Sequence, residues 1–160
     1  MRKFYSRFFV ALTLMLCSFL GYSQVSVTAT AGTTGPTAYT TVKAAFDAIN
    51  AGTHTGSVTV SITANTAEAA SAVLNASGTG SASYTAVLVK PAASTTPSIV
   101  GNVNGPVLAI RGSNVTVDGS NNGTTTRDLT VSNADTSQAK IAAIAMLSTC
   151  LLYTSDAADD

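Results

Sequence analysis

Asp118-Gly119-Ser120-Asn121-Asn122-Gly123 places side-chain oxygens at alternating positions. The pattern matches the first half of a calcium loop, where such oxygens converge on one hard cation. Asp118, Asn122 and Asp128 are the candidate ligands. A full loop needs further carboxylates and a bidentate Glu at its twelfth position, and Leu129 stands there. An Asp-Gly turn accounts for the same residues without a metal, so no metal and no cofactor are expected. Acid–base chemistry on a polysaccharide would need a paired acid and base, or a base facing an acidified α-proton. Asp118, Asp128, Arg111 and Arg127 are the candidates that lie close in sequence. Arg127-Asp128 sits in a Thr-rich stretch, and solvated turn charges are the expected reading. His54, in Ala51-Gly52-Thr53-His54-Thr55-Gly56, has no neighbouring partner and is expected as a loop residue. Residues 24–149 contain Tyr39, Phe46 and Tyr84 as their aromatics, a thin basis for a sugar-stacking platform. No catalytic residue is therefore assigned.

Charge narrows the partners. The chain has 8 Lys+Arg and 8 Asp+Glu, and only 10% of its residues are charged, against roughly 25% in ordinary soluble domains. Between residues 24 and 149, Asp47, Glu68, Asp118, Asp128 and Asp135 are scattered among Lys43, Lys90, Arg111, Arg127 and Lys140. No basic patch offers itself to nucleic acid or an anionic membrane. Surface polysaccharide and other cell-surface components are the partners left open. Asn75, Asn114 and Asn122 each open an N-x-Ser/Thr triplet, read here as chance in an Asn/Thr-rich chain.

The elements that would position these residues begin after residue 23. Arg2, Lys3 and Arg7 precede an apolar run from Phe8 to Leu20, and Gly21-Tyr22-Ser23 supplies small residues before Gln24. This is the pattern of a secretory signal peptide, with an apolar run too short to span a membrane comfortably. Cys17 lies within it, so the segment 24–149 has no cysteine and must be held by packing and hydrogen bonds. Val42, Ala45, Phe46 and Ile49 mark one face of a short helix, with Thr40 or Thr41 able to cap it. Alternating strands follow: SVTVSIT from Ser57, then residues 85–91, 97–103, 106–112, 113–119 and 127–133, each bounded by turn residues. Residues 64–83 fit a strand and loop, or a weak helix over 67–74. Strand centres at Leu88, Leu108 and Val131 suggest a stacked repeat, although a sandwich also spaces strands regularly.

The segments YTTVKAAFDAINAG, GSVTVSI and GSNVTVDGSNNG resemble the start of a pectin-lyase-like right-handed parallel β-helix. That resemblance, over roughly residues 37 to 135, implies an all-β solenoid start with one N-terminal capping helix, in which Phe46 and Ile49 plug the core. It is similar to large surface proteins of bacteria with type IX secretion, and implies a secreted or cell-surface structural or adhesion protein. The alternative is the N-terminal part of a secreted polysaccharide lyase or glycoside hydrolase. Residues 150–160, CLLYTSDAADD, resemble residue by residue the translation of a transposon-end sequencing adapter. The expected organisation is thus a signal peptide (1–23), a domain cut short (24–149, ending on the apolar KIAAIAML at 140–147) and a non-native tail (150–160).

Overall fold

A computed structural model describes residues 23–136 and 142–147. The expected leader up to residue 22 and the adapter-like tail, with Cys150, lie outside the described residues. The elements are β1 (Val25–Gly32), β2 (Thr37–Tyr39), α1 (Val42–Asn50), β3 (His54–Ile62), β4 (Thr66–Glu68), β5 (Ala72–Leu74), β6 (Tyr84–Pro91), β7 (Ser98–Gly101), β8 (Pro106–Ile110), β9 (Val115–Val117), β10 (Thr130–Asn133) and β11 (Ala142–Met146). They form a five-stranded sheet in the order β2-β1-β3-β6-β9 and two three-stranded sheets, β10-β7-β4 and β11-β8-β5.

The first sheet is mixed. β1 pairs antiparallel with both β2 and β3, whereas β3, β6 and β9 run parallel. The chain reverses between β1 and β2 at Gly35-Pro36, a cis peptide bond. Gly35 has φ +80 there, and a Cβ on it would run into the Val27 carbonyl oxygen, so the reversal requires glycine. The two smaller sheets are wholly parallel.

This architecture corrects the expected right-handed parallel β-helix. The described residues form several short, separate sheets, one mixed and two parallel, and none is closed or solenoid-like. The physical reason for the misreading is that a period of two gives a strand and its buried face, but not the direction of its partner. The inferred repeat also fails in detail. Leu88, Leu108 and Val131 lie in three different sheets. Strands that do pair bring together Val58, Val87 and Val115, whose spacing is wider than the 20–23 residues between those strand centres. Residues 67–74 make no helix; β4 and β5 occupy that region.

The core is built from register-matched apolar residues. Val58–Val87–Val115 and Val60–Val89–Val117 form two rows on the inner face of the first sheet. In the other sheets, Ile99 stands between Thr66 and Val131, and Leu108 between Ala72 and Ile144, of which Ile144 is exposed. α1 forms where the 3.6-residue pattern predicts it. Thr41 caps it by accepting a hydrogen bond from the Ala44 amide at 3.1 Å. Val42, Ala45, Phe46 and Ile49 are fully buried as the helix packs against β5, β3 and β1.

The row through Ile99 includes a polar residue. Thr66 is 2% exposed, and its hydroxyl has no hydrogen-bond partner. An unsatisfied buried hydroxyl costs about 1–3 kcal/mol. Thr66→Val replaces it with a methyl of similar shape in line with Ile99 and Val131. The variant is expected to be more stable by about 1 kcal/mol, read as a raised urea midpoint. A lowered midpoint would show that the hydroxyl is satisfied in solution.

Candidate functional site

β9 ends at Val117 and the chain enters a loop that returns at Thr130. The Asp118 amide donates to the Val89 carbonyl at 2.8 Å, extending the pairing of β9 with β6 by one residue. The loop neck is closed by the Gly119 carbonyl, which accepts from the Asp128 amide at 2.7 Å and the Leu129 amide at 3.0 Å. Asp118 and Asp128 are thereby brought to the same neck. Asp118 Oδ1 accepts from the Ser120 amide at 2.8 Å, and Asp128 Oδ2 from the Asn121 amide at 2.9 Å. The Asn121 side chain donates to the Thr95 carbonyl at 2.9 Å, tying the loop to the turn after β6.

Asn122 goes elsewhere. It is exposed at the loop tip, and its Oδ1 accepts from the Thr124 amide (3.0 Å), the Thr124 hydroxyl (2.8 Å) and the Thr126 hydroxyl (3.1 Å). The three candidate cation ligands are thus divided between neck and tip, each holding the loop's own donors. Among the described residues, no group of three His, Cys, Asp or Glu side chains could hold a metal ion. Arg111 and Arg127 are both exposed. An ion pair, Lys43–Asp47 at 2.6 Å, lies on the surface of α1. The arrangement does the work of a turn: carboxylates satisfy main-chain amides that have no strand partner.

His54 overturns its expectation as a loop residue. It opens β3 and is fully buried. Nδ1 lies 2.5 Å from the Thr33 carbonyl oxygen and Nε2 lies 2.7 Å from the Tyr39 hydroxyl. A carbonyl only accepts, so Nδ1 carries the proton. Nε2 shares its hydrogen bond with the Tyr39 hydroxyl. Tyr39 stands edge-on to the ring, with centroids 5.9 Å apart. The pair fastens the turn between β1 and β2 onto β3. The surrounding turn residues gave no sign of this burial, because the partners are 15 and 21 positions away in the chain.

The remaining aromatics also face inward. Phe46 is fully buried and Tyr84 is 6% exposed. The Tyr84 hydroxyl donates to the Asn75 carbonyl at 2.6 Å. Burial raises the Tyr84 phenol above its ordinary value, opposed in part by a hydrogen bond with the Ser77 backbone. Burial also raises the Tyr39 phenol. A phenol whose pKa is higher in the folded state than in the unfolded one stabilises the fold fully below the unfolded value, about 10. That contribution is lost as pH rises through the folded value. Thermal stability is therefore expected to fall above about pH 10, with the folded phenols ionising later than those of the urea-unfolded chain in an ultraviolet titration. Coincident titrations would refute this.

Two further residues escaped the sequence reading. Glu68, on β4, is 3% exposed and receives the Val42 amide on Oε1 at 2.8 Å and the Lys43 amide on Oε2 at 3.1 Å. Asn50, at the other end of α1, donates to the Val73 carbonyl at 2.8 Å and accepts from the Asn75 amide at 2.9 Å. The helix is stitched at both ends to β4 and β5, which are the outermost strands of their sheets.

The five-stranded sheet also has an outer face. Register aligns Thr28, Thr59, Leu88 and Thr116 in one row and Ser26, Ser61 and Lys90 in the next. These alternate with the buried valines, so they point outward. These two rows are mostly hydroxyl-bearing, and Lys90 is their charged member. No helix among the described residues is long and apolar enough to cross a membrane. Set against protein-family models, curated proteins and solved structures, the chain matches none of them.

Proposed function

We propose that the chain is an exported protein with a structural or adhesive role at a cell surface, and that its partner is a neutral surface polysaccharide. The observation that carries this reading is the row Thr28–Thr59–Leu88–Thr116 beside Ser26–Ser61–Lys90. Hydroxyls on neighbouring strands about 4.8 Å apart, Thr28 beside Thr59 and Ser26 beside Ser61, offer donors and acceptors to an uncharged, hydroxyl-rich polymer. A nearly neutral face neither steers nor repels such a polymer electrostatically. The basic and apolar order of residues 1–23 supports export.

Two measurements test it. Expressed with its own leader, the chain should appear outside the cytoplasm beginning at Gln24. The purified chain should be retained by neutral polysaccharide, and Thr59→Glu should weaken retention while leaving the melting temperature nearly unchanged. Cytoplasmic protein with an intact N-terminus, or equal retention of the variant, would overturn the proposal.

A further inference from the structure

We infer that Asn122-Gly123 is a self-modifying site, at which the folded loop promotes conversion of Asn122 to aspartate and isoaspartate. The reaction begins when the Gly123 nitrogen gives up its proton to water or hydroxide and attacks Cγ of Asn122. A new N–Cγ bond closes a five-membered succinimide, the Cγ–Nδ2 bond breaks, and Nδ2 leaves as ammonia. Water then opens the ring at either carbonyl. No other reactant is required.

Three features of the loop favour the attack. The nucleophile belongs to glycine, so no side chain hinders ring closure. Among the described residues, the Gly123 amide has no hydrogen-bond partner to hold it back. The third feature concerns charge. Asn122 Oδ1, the atom that becomes negative in the tetrahedral intermediate, already accepts three hydrogen bonds, from the Thr124 amide and from the Thr124 and Thr126 hydroxyls. Donors placed where negative charge develops lower the barrier to acyl transfer. The main-chain donor also fixes which side-chain atom is the oxygen, since an N–H can donate only to Oδ1.

The chain carries its own reference. Asn104 is likewise exposed and followed by a glycine, but among the described residues its side-chain oxygen accepts no hydrogen bond. Conversion would put a third carboxylate into a loop that already holds Asp118 and Asp128, and the isoaspartate form would add a methylene to the main chain at its tip.

The test is incubation of the full chain at mildly alkaline pH, followed by peptide mapping of both Asn-Gly sites, with isoaspartate scored separately. Asn122 should convert about fivefold faster than Asn104, a modest effect beside the hundredfold or more of one donor in a water-excluded enzyme site. Thr124→Ala combined with Thr126→Ala removes the two hydroxyl donors, keeps the Thr124 amide, and should bring the Asn122 rate down toward that of Asn104 while leaving Asn104 unchanged. In urea the two sites should converge. Equal rates in the folded chain, or a double variant that reacts as fast as or faster than the parent, would overturn the inference.

Discussion

Phe46→Ala should lower the stability of the chain by about 4 kcal/mol, within the range for truncating a buried aromatic residue. The side chain is fully buried in the centre of α1, with Val42, Ala45 and Ile49 on the same face. A nine-residue helix is too short to persist on its own, so its helicity depends on what that face covers. Removing the ring loses its transfer free energy and leaves a cavity that the helix can close only by moving toward the sheets. It cannot move freely, because Glu68 and Asn50 hold its two ends to β4 and β5. The cavity should therefore stay largely open and the full cost be felt. A small domain has roughly 5–15 kcal/mol in hand, so the variant should fold but with a urea midpoint well below that of the parent. A loss under about 1 kcal/mol would show that Phe46 does not fill the space between helix and sheets.

That role for Phe46 was legible in the sequence, and the reason is local. A 3.6-residue apolar period, a threonine cap and a following switch to period two all lie within about twenty consecutive residues. The strand at Ser57–Ile62 and the shorter ones at Val115–Val117 and Thr130–Asn133 were visible for the same reason. Pairing direction was not, because β1 and β3 become antiparallel neighbours across an intervening helix and strand, and nothing local records that. His54 shows the same limit at a single residue. Its environment is made by Thr33 and Tyr39, which flank the turn at Gly35 and reach His54 only when β1 pairs with both β2 and β3. Asp118 and Asp128 are an intermediate case. Their presence in a turn was evident, but their sharing of one neck depends on the Gly119 carbonyl closing on Asp128 and Leu129. The carboxylate with the largest structural role, Glu68, stood in the segment that looked ambiguous between strand and helix.

Glu68→Ala should cost about 3 kcal/mol. Its two oxygens receive the Val42 and Lys43 amides, which are helix N-terminal donors without intrahelical partners. Hydrogen bonds to a charged group are worth roughly 1.5–3 kcal/mol each, and an anion at a helix N-terminus adds up to about 2. Against this stands the desolvation of a carboxylate that is 3% exposed, a penalty of several kcal/mol that the alanine variant no longer bears. The net sign is still destabilising, because alanine leaves the Val42 amide in a buried position with nothing to donate to. Glu68→Gln separates charge from geometry. It keeps one acceptor but turns an N–H toward a main-chain N–H, and should lose about 2 kcal/mol. Thr41→Ala, which removes the neighbouring cap on Ala44, should cost about 1 kcal/mol. Because both caps act on the same first turn, the double variant should lose less than the two single losses added together. Urea unfolding of the three single variants and the Glu68/Thr41 double variant measures all of this. A Glu68→Gln variant as stable as the parent would sink the assignment of Glu68 as the clasp between α1 and β4.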